Sequence, residues 1–276
     1  MYHTTINRPT KANTKILLFL FGLAPVFLQA QTSDTIKEKT LQEVIVKAYE
    51  QNRRLKDIPA AVNYVGRSTL ERFNPSSIVQ AINSTPGVRM EERSPGSYRM
   101  NIRGSSLRAP FGVRNVKVYF NDIPITDPGG ITYLNQLGYY NINSIEIIKG
   151  PGSSLYGAGT GGVILIESMS ENEQPAAQLE YTAGSYGMQN VYAAVSTTSD
   201  NTSNRVHFQH QESDGYRVHS AMKRDVFSWN GRYNLGNNKQ LKTTFLYGNL
   251  FYETPGALTQ AEYDVNAKAA RPGSGA

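Results

Sequence analysis

Ile145-Glu-Ile-Ile-Lys-Gly-Pro-Gly-Ser-Ser-Leu-Tyr-Gly-Ala-Gly-Thr-Gly-Gly-Val-Ile164 is the stretch that decides the fold. It begins inside a run of β-formers, Ser144 to Lys149, and ends inside another, Gly162 to Glu167, with the Gly-rich segment Gly150 to Gly161 between them. Branched runs bounded by Gly and Pro read as strands joined by a turn-rich connection. The glycines invite two nucleotide readings, and both fail. Gly157-Ala-Gly159-Thr-Gly-Gly162 fits G-x-G-x-x-G, but a dinucleotide site needs a helix after the glycines to meet the pyrophosphate. Val163-Ile-Leu-Ile166 follows instead, and it is strand sequence. Gly152 to Gly157 has the spacing of a phosphate loop, with Ala158 where that loop needs Lys.

Upstream of this stretch, Ala60 to Val65 reads as a strand. Ser76 to Asn83 reads as a short helix with Ile78, Ala81 and Ile82 on one face, stopped by Pro86-Gly87. Val88 to Glu92 and Tyr98 to Arg103 alternate around the turn Ser94-Pro-Gly-Ser97. Val116 to Ile125 is a strand pair hinged at Asn121-Asp122. Residues 58–168 therefore make one α+β unit of ordinary domain size.

Downstream the texture changes. Gln178–Gly184, Gln189–Thr197, Arg205–Ser213, Val226–Leu235 and Gln240–Phe251 alternate polar and apolar residues, separated by turns such as Gly236-Asn-Asn-Lys239. Both a transmembrane β-barrel and a soluble antiparallel meander give this pattern. An outward apolar band separates the two.

The start of the chain has the order of an export signal. Residues 1–15 are polar and carry Arg8, Lys11 and Lys15; Ile16 to Leu28 is apolar apart from Gly22 and Pro25; Ala30 precedes Gln31. The apolar stretch is too short to span a bilayer. Removing residues 1–30 takes the formal net charge from +6 to about +3, an excess too mild to imply nucleic acid. Gln31 to Thr40 reads as a disordered tail and Glu50 to Asp57 as a linker. Between them, Leu41-Gln-Glu-Val-Ile-Val-Lys-Ala48 has a β-prone centre. It is either the first strand of the domain or a free strand awaiting a partner's sheet edge; local sequence favours the domain strand.

Catalytic signals are missing. The chain has no cysteine, so disulfides, thiol chemistry and a lipoprotein anchor are excluded. His207 and His210, three apart in a strand, face opposite sides, as do Glu91 and Glu92.

Several segments in register resemble the plug domain of TonB-dependent outer-membrane receptors. They are the quoted stretch, Asn101-Ile-Arg-Gly104, Val118-Tyr-Phe-Asn-Asp-Ile-Pro124 and Thr85-Pro-Gly-Val88, with Leu41 to Ala48 similar to the TonB box. The resemblance covers about residues 41–168. It implies an α+β plug domain followed by the first antiparallel strands of a transmembrane β-barrel. The division is 1–30 signal, 31–57 box and linker, 58–168 plug and 178–276 barrel. It also implies that Leu41, Glu43, Val44, Ile45 and Val46 form a free strand for TonB, extended, mobile and outside the plug core. Arg103, Gly104, Glu146, Gly150, Gly157, Gly161 and Gly162 are expected in the plug core. The glycines should let backbone approach the barrel wall and adopt positive φ, and Arg103 and Glu146 should each find an ion pair or a backbone hydrogen bond within the plug or at the barrel wall.

Function follows as a further implication. Such receptors import a scarce solute across the outer membrane by a TonB-coupled plug rearrangement, with no covalent chemistry and no cofactor. The expected partners are TonB, outer-membrane lipid and an iron-chelate or other small solute. Six arginines between Arg89 and Arg114 suit an anionic chelate. Arg93 and Arg108 are the expected charged contacts, with Phe111 and Tyr133 beside them. A barrel of about 22 strands needs far more residues than follow the plug, so the chain is expected to be a fragment. Gln31 to Thr40 leaves no room for an extra periplasmic domain, against the starch-utilisation type of receptor and direct signalling. The alternatives are an exported β-rich binding or adhesion protein without transport, and an exported enzyme, for which no constellation exists.

Overall fold

A computed structural model of the protein describes residues 43–50, 52–95, 97–106, 112–157, 159–168 and 176–273. The expected signal, the tail, Leu41, Arg108 and Phe111 lie outside the described residues. The elements in chain order are strands β1 (Ile45–Val46), β2 (Arg53–Arg54) and β3 (Val62–Val65), then helices α1 (Arg67–Leu70) and α2 (Val79–Asn83). Strands β4 (Val88–Ser94), β5 (Ser97–Ile102), β6 (Val116–Phe120), β7 (Ile123–Pro124) and β8 (Ser144–Lys149) follow, then helix α3 (Ser153–Tyr156) and β9 (Gly162–Glu167). Five further strands come next: β10 (Ala177–Ala183) and the longer β11 (Gln189–Thr198), β12 (Thr202–Ser213), β13 (Met222–Gly236) and β14 (Lys239–Tyr252).

The quoted stretch forms the middle of a five-stranded sheet of order β3-β8-β9-β6-β7. β8 pairs antiparallel with β3 and β9, and β9 pairs parallel with β6. Covered on both faces, β8 and β9 carry near-continuous apolar runs, as buried central strands do. Glu146 is the one charge inside the β8 run. The sheet has two differently covered faces. Ile145, Ile147, Ile164, Ile166, Val118 and Phe120 join the main core, with α2 and the β4–β5 hairpin. Ile148, Val163, Leu165 and Tyr156 join a smaller cluster with Val46, Ala48 and Ile58. At the β6–β7 turn, Asn121 and Asp122 both have positive φ, 50° and 69°, the conformation a two-residue hairpin loop demands.

The second sheet is an antiparallel meander, β10-β11-β12-β13-β14. Its inward face is polar and buried: Arg205, His207, Gln209, Gln211, Ser228 and Asn230 are nearly inaccessible. Its outward face exposes Leu179, Val195, Phe208, Trp229, Phe245 and Tyr247. A soluble meander has the opposite arrangement; polar inside and apolar outside is the pattern of a membrane barrel wall. β11–β14 run for 10 to 15 residues, long enough to cross the hydrocarbon core. This sheet of described strands does not close on itself.

Candidate functional site

The C-terminal half of the segment read as a free coupling strand, Val46 to Ala48, is docked, while Glu43, Val44 and Ile45 are exposed. β1 pairs with β2, Ile45 opposite Arg54 and Val46 opposite Arg53. Val44 and Ile45 are exposed, but Val46 and Ala48 are completely buried against the smaller cluster. This corrects the expectation of a strand outside the core, and it corrects the reading of Glu50 to Asp57 as a linker, since β2 lies there. The physical reason is burial: a Val-Ile-Val segment beside an apolar sheet face loses less by covering it than by standing in water. Glu43 is exposed at the entry to the segment.

A carboxylate fixes the docked segment. Glu146, only 3% exposed, accepts hydrogen bonds from the backbone N–H of Lys47 (2.8 and 2.9 Å to its two oxygens) and of Ala48 (2.9 Å). Lys47 also pairs its ammonium with Glu167 at 2.6 Å. The Tyr49 N–H donates to the Tyr156 hydroxyl at 2.7 Å. Burial pushes the Glu146 carboxyl above its ordinary pKa, and the two N–H groups offset this only in part.

On the other side, the plug is bonded to the strand wall. Asn121 Nδ2 donates to Ser168 Oγ (2.8 Å), Asn230 Oδ1 (2.9 Å) and Thr244 Oγ1 (3.1 Å), while its Oδ1 accepts from the Ser168 N–H at 2.9 Å. Asp122 pairs with Lys242 at 2.6 Å. Burial would raise the Asp122 carboxyl, but the Lys242 hydrogen bond and the neighbouring cations hold it below its ordinary value. Residues 134–141 lie flat against the wall. Arg224 donates to the Asn135 carbonyl at 3.2 Å, Ser228 to Asn141 at 3.3 Å, and Tyr140 stacks on Tyr192 with centroids 4.2 Å apart.

The close backbone approach to the wall is made by glycines the sequence reading did not single out. A Cβ on Gly138 would collide with the Gln209 side chain, and one on Gly248 would stand 3.1 Å from the Gln136 carbonyl oxygen. Gly161 and Gly162 instead serve contacts within the plug: their added Cβ atoms would meet Ser105 and Asn115, or the Ile148 carbonyl oxygen and Ile102. Gly104, Gly150 and Gly157 are used for positive φ, 86°, 104° and 73°. The positive φ expected of these glycines is present at Gly104, Gly150, Gly157 and Gly162, and none of the contacts found for them is with the five described wall strands. Nothing in local sequence distinguished Gly138 and Gly248, because their neighbours come from strands or turns about 70 to 110 residues away.

Arg103 is exposed, and among the described residues its side chain makes no hydrogen bond or ion pair; only its backbone N–H is tied, to the Gly87 carbonyl at 3.0 Å. The partner expected for it is absent there, because the positive φ at Arg103 turns the residue outward at the end of β5. Arg93 is exposed at the end of β4, and Tyr133 is half exposed ahead of residues 134–136. The structure also brings together Arg89 and Arg99, two of the six arginines, whose meeting was not legible in sequence because they lie on different strands. They flank Glu91, at 2.7 and 3.8 Å, over a cleft of about 280 Å³ that Asn101 and Ser106 complete. Among the described residues no group of three His, Asp or Glu side chains is placed to hold a metal ion.

Comparison with known proteins agrees with this architecture. Residues 54–164 match the model of the TonB-dependent Receptor Plug Domain. The chain is similar to the vitamin B12 transporter BtuB of Vibrio vulnificus strain YJ016, 23% identical over 198 residues, covering 70% of this chain and 30% of that protein. It is likewise similar to the metal-pseudopaline receptor CntO of Pseudomonas aeruginosa strain UCBPP-PA14, 26% identical over 201 residues, 67% of this chain and 27% of that protein. The chain thus spans about a third or less of the length of these curated relatives. Among solved structures, the unliganded ferric citrate transporter FecA superposes with a TM-score of 0.62 at 20% identity, over 76% of this chain and 34% of that one. The siderophore receptor PirA from Acinetobacter baumannii gives 0.54 at 16% identity, over 76% and 35%.

Proposed function

We propose that this chain is part of a TonB-dependent receptor of the bacterial outer membrane, as the match of residues 54–164 to the plug-domain model and the likeness to known receptors support, and that it imports an anionic iron-chelate complex under the pull of TonB. The observation that supports transport best is the pairing of a polar-inside, apolar-outside strand wall with a plug bonded to its inner face by Asn121, Asp122 and residues 134–141. An exported adhesion domain needs neither the outward apolar face nor a plug behind it. Relatives named as receptors for ferrioxamine, ferric aerobactin and metal-pseudopaline favour a metal chelate as cargo.

In this reading cargo settles on the plug from outside, touching Arg93, Arg108, Phe111 and Tyr133, and arginine forks bind its carboxylates. TonB takes the strand from Glu43 to Val46 by edge pairing and draws it toward the periplasm. The plug loosens and cargo passes. The chain itself makes and breaks no covalent bond. The test is uptake of radioactive iron, supplied as carboxylate chelates, by cells producing the protein from its gene. Uptake that requires TonB supports the reading. Equal uptake without TonB, or binding of neutral cargo alone, overturns it.

A further inference from the structure

We propose that Glu146 is a positioning residue that clamps the coupling strand onto the plug, so that the strand is stored and must be released before a partner can take it. This rests on the reading of residues 43–46 as the coupling strand, though the clamp itself is a property of the geometry.

Three observations carry it. First, one buried carboxylate accepts from two successive backbone N–H groups, Lys47 and Ala48, on a segment about 100 residues away in the chain. Successive N–H groups converging in this way form an anion-binding concavity, and here the anion is the protein's own. Secondly, the other polar ties are few. The β1–β2 pairing lies within the segment itself, and beyond Glu146 the polar ties of residues 47–49 to the sheet are the Lys47–Glu167 pair and the Tyr49–Tyr156 hydrogen bond. Thirdly, the turn between β1 and β2 holds Tyr49, Glu50 and Asn52 at positive φ, 61°, 57° and 44°. Non-Gly residues persist in that region only where surrounding contacts impose it. Release relieves those three residues and hands the Glu146 carboxylate to water, so the polar groups are satisfied in both positions. The loss on release is the apolar cover from Val46 and Ala48.

The carboxylate is therefore the part of the attachment that a single substitution removes. In Glu146→Ala the Lys47 and Ala48 N–H groups lose their acceptor. In Glu146→Gln one oxygen still reaches both, as one Glu146 oxygen does now, but an amide nitrogen replaces the second acceptor of the Lys47 N–H.

The experiment places a single thiol at Val46→Cys, a fully buried position in a cysteine-free chain, and follows its reaction with a maleimide in outer membranes. Added Glu146→Ala should raise the rate by roughly tenfold or more, the order expected for two lost hydrogen bonds. Glu146→Gln, which keeps one acceptor for both N–H groups, should restore protection in part, to a rate between those of the parent and of Glu146→Ala. A second thiol position, Ile142→Cys, buried in the main core, should stay protected throughout. An unchanged rate at position 46 overturns the clamp. Equal exposure of positions 46 and 142 also overturns it, by making Glu146 a general fold residue. Binding of the periplasmic domain of TonB separates the two readings. Faster labelling with stronger TonB binding supports both, whereas faster labelling without a change in TonB binding upholds the clamp and removes the coupling assignment.

Discussion

Ile147 and Ile148 are neighbours on β8, both almost inaccessible to solvent, and they face covers of different kinds. Behind Ile147 lies the main core, continuous with α2, the β4–β5 hairpin and the wall-facing turns. Behind Ile148 lies a short strap, residues 44–50 and 52–58, held by the Glu146 carboxylate, the Lys47–Glu167 pair, the Tyr49–Tyr156 hydrogen bond and the buried Val46, Ala48 and Ile58. The wall side is fastened at several separate points, through Asn121, Asp122, Asn135, Asn141 and Tyr140. Force applied at Val44 therefore meets the strap first. One sheet has a face built to stay and a face built to be uncovered, and the difference lies in how many independent contacts must break together.

The sharpest way to break this contrast is to truncate the two isoleucines in turn. Ile147→Ala should cost about 3–5 kcal/mol of plug stability, because a rigid core cannot collapse onto the hole. Ile148→Ala should cost about half as much, because the strap moves with it, and the loss should appear as exposure of position 46 before global unfolding. Denaturant melts combined with thiol labelling measure both. Equal losses with no early exposure would mean that the two covers are alike.

Next in size is the wall side. Asn121→Ala removes an amide whose two N–H bonds are shared among three acceptors and whose oxygen accepts from the Ser168 N–H, leaving polar groups at the buried Ser168 and Asn230 and the half-buried Thr244 without it. A loss of about 1–3 kcal/mol is expected, with position 46 still protected. Lys242→Ala breaks a pair that is more than a third exposed on both sides, so less than about 1 kcal/mol should follow.

The smallest effect is on pH. Burial raises the Glu146 carboxyl in the docked state, and in the released state it returns toward its ordinary value. A proton therefore binds the docked form more tightly, and docking strengthens as pH falls from the raised docked-state value toward the ordinary carboxylate value. The groups facing Glu146 are Lys47, Glu167 and, through its hydroxyl, Tyr156. Labelling at position 46 should slow modestly as pH falls through that window. Faster labelling there would reverse the sign assigned to Glu146.

Much of this was legible in the sequence, and for local reasons. The strands from Val62 to Glu167 declared themselves by branched runs between glycines, and those after Ala177 by alternation and by turns such as Asn237-Asn238. Alternation did not reveal which face points outward; the structure answers that through the buried Gln209 and the exposed Phe208. The turns at 134–141 carry no period to read, so the main wall contact was invisible. The strap shows a different limit. Val44 to Val46 is the same sequence whether free or paired, and its fate depends on Glu146, about 100 residues away. Local sequence favoured a domain strand, resemblance favoured a free one, and the structure shows a short strand on the domain's surface.

The most direct test of the central claim ties the strap to the sheet through Lys47 and Glu167, whose side chains meet at 2.6 Å. Cysteines at these two positions can be bridged by a short bifunctional thiol reagent, and the chain has no other cysteine. Protein carrying Lys47→Cys and Glu167→Cys should bind cargo equally before and after bridging. It should import cargo before bridging and cease to import it afterwards, because the strap is then locked to the plug. Undiminished uptake by the bridged protein would contradict the account, since transport would then proceed without release of this strand.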